Sequence, residues 1–217
     1  MTSKRVGALL WILTLAYWPL QVLVAGRWPE PYSWSANYIS DLGATLCGTV
    51  TDDGPARAVC SPEHEWWNIG LAFVGVLTAL GAVLLSRGRR TAERVGLLLV
   101  MAGGLAVVVT AVVPFDVDTD VHDLAALAQF VLQILGMVVL AFTLRTRGRV
   151  AFAVVTLVMV LVAGAGFAAF LSEGHLGFGV GIVERVAFDT LTLWTVVAGL
   201  FLVGGRESGV RVRGSRR

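Results

Sequence analysis

The sequence predicts an all-α polytopic membrane bundle of six transmembrane helices with both termini cytoplasmic. Three observations predict it. The 217 residues are 56% hydrophobic and 15% charged, with a mean hydropathy of +0.77, whereas a soluble domain carries roughly a quarter charged residues. Apolar runs recur that are long enough to cross a hydrocarbon core about 30 Å thick, which takes about 20 helical residues. All 17 lysines and arginines except Arg27, Arg57 and Arg185 fall in segments that can share one side of a membrane. The apolar runs are continuous rather than alternating. In lipid, where every backbone amide must be paired, that pattern means helices and not barrel strands.

The spans run Val6–Ala25, Trp66–Ser86, Val95–Val113, Leu124–Leu144, Val150–Leu171 and Ile182–Val203. Basic residues resist translocation. Lys4 and Arg5 precede the first span, four arginines join the second to the third, three join the fourth to the fifth, and five follow the sixth. An inverted chain would export most of them. The first span has the basic start and apolar core of a signal peptide, but its core is long and no small-x-small cleavage site follows near Ala25. Residues 1–205 thus form one transmembrane domain, with an outer loop over 26–65. Residues 206–217 read as a disordered, basic cytoplasmic tail. The net charge of +2 is explained by orientation and gives no support to nucleic-acid binding.

The outer loop holds both cysteines, Cys47 and Cys60. Two cysteines in one exported loop are more often bridged than free, and closing such a loop contributes about 3 kcal/mol by chain entropy. The alternative is a pair of buried thiols. No Cys-x-x-Cys supports a redox role. In the same loop, Trp34, Tyr38, Ile39 and Leu42 would share one face of a short interfacial helix, opposite Ser33, Asn37, Ser40 and Asp41. That helix reads as an anchor at the headgroups or as a lid over a cavity.

The loop from Pro114 to Asp123 resembles the start of an EF-hand, with Asp116, Asp118 and Asp120 alternating. Val121 stands where the turn needs glycine and Leu127 where calcium needs a glutamate, so an EF-hand is rejected. In the fourth span His122, Gln129 and Gln133 share one face, and polar groups in lipid turn to the bundle interior or to a wet cavity. In the fifth, the small residues from Gly164 to Ala169 suit close packing within the molecule. In the sixth, Arg185 and Asp189 stand four apart and can pair along the helix, or Arg185 can hold an anion such as a phosphate. His64, His122 and His175 lie at outer ends of spans, but no ligand spacing supports zinc. No histidine lies near a cytoplasmic end to hold a transmembrane haem, and no cofactor is expected.

Four short motifs, in their order, carry a resemblance: Tyr38-Ile39-Ser40-Asp41-Leu42-Gly43, Val113-Pro114-Phe115-Asp116, His122, and Gly181-Ile182-Val183-Glu184-Arg185. The chain resembles the domain of unknown function 998 family of small six-helix membrane proteins over nearly its whole length. It is more distantly similar, through Ile39-Ser40-Asp41, to the Frag1/DRAM/Sfk1 group, some of which are tied to lipid remodelling. The first resemblance implies the fold without a function, and it does not include Gly48–Cys60. The second implies a lipid-facing role.

The site expected on these grounds is an outer-leaflet polar cluster of Asp41, Asp116, His122, Arg185 and Asp189, which binds or handles membrane lipid. The alternative is an intramembrane hydrolase or transferase acting on lipid headgroups, with His122 as general base or a histidine-held metal activating water. A small transporter would need repeats and broken helices, and the sequence displays neither. The expected location is the cell membrane.

Overall fold

Helix content follows from the apolar runs, and the ends of each helix follow from what interrupts them. The computed structural model describes residues 3–51, 56–145 and 149–204. The basic tail read from Arg206 lies outside the described residues, as does Arg147. Six helical segments are long and apolar enough to cross a membrane. The first consists of α1 (Ser3–Leu13), a 3-10 turn (Thr14–Ala16) and α2 (Tyr17–Ala25). The others are α3 (His64–Ser86), α4 (Thr91–Val112), α5 (Thr119–Arg145), α6 (Val150–Phe170) and α7 (Val180–Gly204). The protein is a multi-pass membrane protein.

Pro19 explains the break in the first span. It has no N–H to give to the carbonyl four residues back, and its ring crowds that carbonyl. The turn before it tightens to 3-10 geometry. Thr14 is buried there and ties the turn to α7, with its hydroxyl 2.9 Å from that of Thr195.

Helices α4 and α5 begin four and five residues before the apolar runs at Val95 and Leu124. Hydropathy marks where lipid contact starts, while the helix already runs through polar residues such as Glu93 and Asp120.

The loop between the first span and α3 departs from the all-α expectation. Residues Cys47–Val50 (β1) and Arg57–Cys60 (β2) pair antiparallel, with Cys47 opposite Cys60. The two cysteines form a disulfide. Four-residue strands carry too little alternation to be read from sequence. The interfacial helix expected nearby is replaced by turns and a single 3-10 turn at Ser40–Gly43. Its residues do not share one lipid face: Leu42 is fully buried and Ile39 nearly so, while Trp34 is exposed. Tertiary packing of Leu42, Ile39, Tyr17 and Trp67 into one cluster outweighs the local helical pattern.

Outward faces of the helices are apolar, as lipid contact requires. Leu161, Ile69, Val112 and Leu124 are among the most exposed large side chains. The interior is built around Trp11, Met137, Leu191 and Trp194. Close helix crossings depend on missing side chains. A Cβ at Gly75 would lie 2.6 Å from the Gly104 carbonyl oxygen, and one at Gly166 would lie 2.6 Å from the Ala187 nitrogen. Gly166 therefore serves intramolecular packing of α6 on α7, as read from the small-residue run, whereas Gly164 faces open space.

Candidate functional site

The polar face of α5 turns inward. His122, Gln129 and Gln133 are all buried, and together they line a cavity of about 840 Å³. At a rise of about 1.5 Å per residue, the stretch from His122 to Gln133 spans about 16 Å, so the cavity runs from the hairpin end of the bundle to about mid-depth. Opposite α5, helix α7 presents Glu184, Phe188, Thr192 and Thr195. Arg57 of β2 and residues 38–40 form part of the roof, and Asn68, Leu71 and Val74 of α3 close another side.

Exposed lining residues mark a mouth between α5 and the end of α6. They are Thr119, Asp123 and Leu127 on one side and Leu171, Glu173 and Gly174 on the other. Helices α5 and α6 follow one another in sequence through the arginine-rich connection, so at the opposite end no short loop ties them together. Gly174, His175 and Leu176 take left-handed conformations with φ of +65°, +49° and +55°. For His175 and Leu176 this backbone is uncommon. The turn sets the His175 ring, which also lines the cavity, against Phe170.

The tautomer of His122 follows from its partner. Its Nδ1 lies 2.8 Å from the Val113 carbonyl oxygen. A carbonyl only accepts, so Nδ1 carries the proton, and in the neutral ring Nε2 is left as an acceptor. The side-chain amides of Gln129 and Gln133 meet no hydrogen-bond partner among the described residues, although both side chains are more than nine-tenths buried. Buried polar side chains ordinarily find partners, and for these amides the cavity is where a partner would sit.

Of the five residues expected to converge, only His122 lines this cavity. Asp41 stands one layer behind. It is wholly buried and forms a bidentate pair with Arg57, with Nε to Oδ2 at 2.8 Å and Nη2 to Oδ1 at 2.9 Å. Asn37 Nδ2 and the Tyr38 N–H also donate to its Oδ2. The Arg57 guanidinium lies 4.2 Å from the centroid of the Tyr38 ring. Asp116 belongs to the loop: its Oδ2 accepts from the N–H groups of Thr45 and Leu46 and from the Thr45 hydroxyl.

Arg185 and Asp189 do not pair with each other. Arg185 Nη1 donates to the carbonyls of Trp34, Asn37 and Gly181, and Nη2 donates to the Tyr32 hydroxyl. Its guanidinium lies against the Tyr32 and Trp34 rings. Burial pushes the Tyr32 phenol well above its ordinary pKa, with Arg185 opposing the shift. It remains a neutral O–H and donates to the Tyr38 carbonyl at 2.7 Å. Asp189 accepts instead from the Tyr17 hydroxyl at 2.9 Å and Gln21 Nε2 at 3.2 Å.

Two residues that sequence reasoning did not place in the site are central to it, Arg57 and Glu184. The signals were present. Arg57 is one of the three basic residues outside the orienting clusters, and a carboxylate inside a span is itself a functional flag. Glu184 Oε2 accepts the Ile39 N–H, which joins the loop to α7. Among the described residues no group of three His, Cys, Asp or Glu side chains is arranged to hold a metal.

No curated protein and no solved structure matches the chain. The family model for proteins of unknown function DUF998 matches residues 12–200, which include every residue that lines the cavity. The chain therefore belongs to the DUF998 family.

Proposed function

We propose that the protein binds a membrane lipid in the α5–α7 cavity, with the head group among the buried polar residues and the chains leaving through the mouth between α5 and α6. The carrying observation is that the unpartnered amides of Gln129 and Gln133 face a cavity whose mouth sets the apolar side chains of Leu127 and Leu171 beside the carboxylates of Asp123 and Glu173. A volume of about 840 Å³ lies in the range of small-molecule sites, which run to about 300–1,000 Å³. An aqueous solute needs no apolar exit such as Leu127 and Leu171 provide.

Native mass spectrometry of protein extracted in mild detergent tests the reading. Adducts of phospholipid mass are expected on the parent. Ala126→Trp, in the cavity wall, is expected to reduce them at least tenfold, while Leu124→Trp on the exposed face leaves them unchanged. Equal adducts on all three proteins, or none on the parent, would reject a lipid site here.

The same reading sets the hairpin end outside the cell membrane and both termini in the cytoplasm. The arginine-rich connections at the opposite end support it, as does a disulfide, which persists in oxidising compartments. In whole cells a membrane-impermeant maleimide is expected to label Ala36→Cys and to spare Thr91→Cys, both exposed positions at opposite ends. The reverse pattern would invert the orientation.

A further inference from the structure

We infer that the cavity selects a lipid whose head group carries an ammonium bearing N–H donors. This rests on the lipid reading above and concerns which lipid is taken. Glu184 is buried at 8% exposure. One of its oxygens accepts the Ile39 N–H, and its second oxygen, Oε1, has no hydrogen-bond partner among the described residues. None of the described Lys, Arg or His nitrogens lies within the 4.0 Å of an ion pair with it. Oε1 opens on the cavity, and an ammonium placed there would supply the opposite charge and donors that repay holding a carboxylate away from bulk water.

The rest of the lining does not supply that charge. Among the described residues Arg57 is the one arginine or lysine that lines the cavity, and two of its guanidinium nitrogens are held by Asp41. Arg185 follows Glu184 in sequence but is turned to the loop, on Tyr32 and three carbonyls, and does not line the cavity. Acidic lining residues, Asp123, Glu173 and Glu184, outnumber the single arginine three to one. This field opposes an anionic head group with no cation of its own. A primary ammonium brings one positive charge and three donors. The cavity offers acceptors for it at Glu184 Oε1 and His122 Nε2. The amides of Gln129 and Gln133 supply donors as well as acceptors, and so can meet a phosphodiester oxygen on the same lipid.

The test compares two lipids that differ only in the head group. Purified, delipidated protein in detergent is titrated with dioleoyl phosphatidylethanolamine and with dioleoyl phosphatidylglycerol, and occupancy is read by native mass spectrometry. The ethanolamine lipid is expected to bind at least tenfold more tightly. Glu184→Gln keeps a carbonyl to accept the Ile39 N–H, so it preserves the fold contact. It is expected to bring the two lipids to within twofold of each other. A preference that survives in Glu184→Gln, or equal binding of both lipids to the parent, would overturn the head-group inference and leave the lipid site standing. Failure of both lipids to bind would remove the lipid site itself. Glycerophosphoethanolamine is expected not to compete at millimolar concentration. Competition equal to that of the lipid would show that a soluble amine is the ligand and overturn the inference.

Discussion

Asp41→Ala is expected to destabilise the protein by about 3–5 kcal/mol, the loss typical when one partner of a buried ion pair is removed. Asp41 has no exposed surface, and its partner Arg57 is 7% exposed. The variant leaves the guanidinium facing Tyr38 and Phe115 without the carboxylate that holds two of its nitrogens. It also removes the acceptor for Asn37 Nδ2 and the Tyr38 N–H. Thermal unfolding in detergent, followed by tryptophan fluorescence, measures the effect. Adding Arg57→Ala is expected to recover part of the loss, because the second substitution removes the buried charge that Asp41 balanced. The double-mutant cycle reads that coupling directly. A single variant within about 1 kcal/mol of the parent would mean that water in the cavity already solvates Arg57, and the pair would then not be the keystone of the loop.

The pair matters beyond its own energy because it joins two parts of the cap. Asp41 belongs to the 3-10 turn at Ser40–Gly43, while Arg57 opens β2. Asn37 adds a third strand of connection, with Nδ2 also 3.0 Å from the Ala58 carbonyl oxygen. The Ser61 hydroxyl donates to the Leu42 carbonyl at 2.7 Å. The disulfide then holds the hairpin at its base. The roof of the cavity is therefore fixed by polar contacts rather than by the length of its elements. In this way a loop of turns and a short hairpin can cover the end of the bundle without a helix of its own.

The spans were legible because lipid imposes a single rule on every residue that faces it, and that rule shows in composition. Val150–Phe170 begins at the residue hydropathy chose and ends one residue before it. The inward face of α5 was legible for the same reason, since His122, Gln129 and Gln133 have nowhere else to go. The partners of the charged residues were not legible. Arg185 and Asp189 satisfy the i, i+4 rule, yet each finds more donors or acceptors on a neighbouring segment than on the other. Arg185 reaches Tyr32, 153 residues away in sequence, and Asp189 reaches Tyr17, 172 away. Helical spacing describes only contacts within one helix. In a buried site each charge is settled by the full set of groups that folding brings to it, and the loop supplies most of those here.

Arg185→Ala is the second large effect expected, and it falls on the loop. The guanidinium binds three carbonyls and one hydroxyl and lies 4.9 Å from the centroid of the Trp34 ring. Hydrogen bonds from a charged donor contribute about 1.5–3 kcal/mol each, and a cation–π contact adds about 0.5–2 kcal/mol. These contributions overlap, so a net loss of about 3 kcal/mol is expected. The loss has a location. Hydrogen–deuterium exchange is expected to rise across residues 32–39, where Tyr32, Trp34 and Asn37 release their hold on α7, and to stay low in α3 and α4. Arg185→Lys keeps the charge but not the planar fork, and is expected to recover less than half of the protection. Asp189→Ala added to Arg185→Ala is expected to restore nothing, because Asp189 is bound by Tyr17 and Gln21 rather than by the arginine. If the second substitution did restore stability, the two side chains would be an ion pair after all. The loop would then be held to α7 through the bond from the Gly181 N–H to the Ser35 carbonyl and the bond from the Ile39 N–H to Glu184, the same carboxylate whose other oxygen faces the cavity.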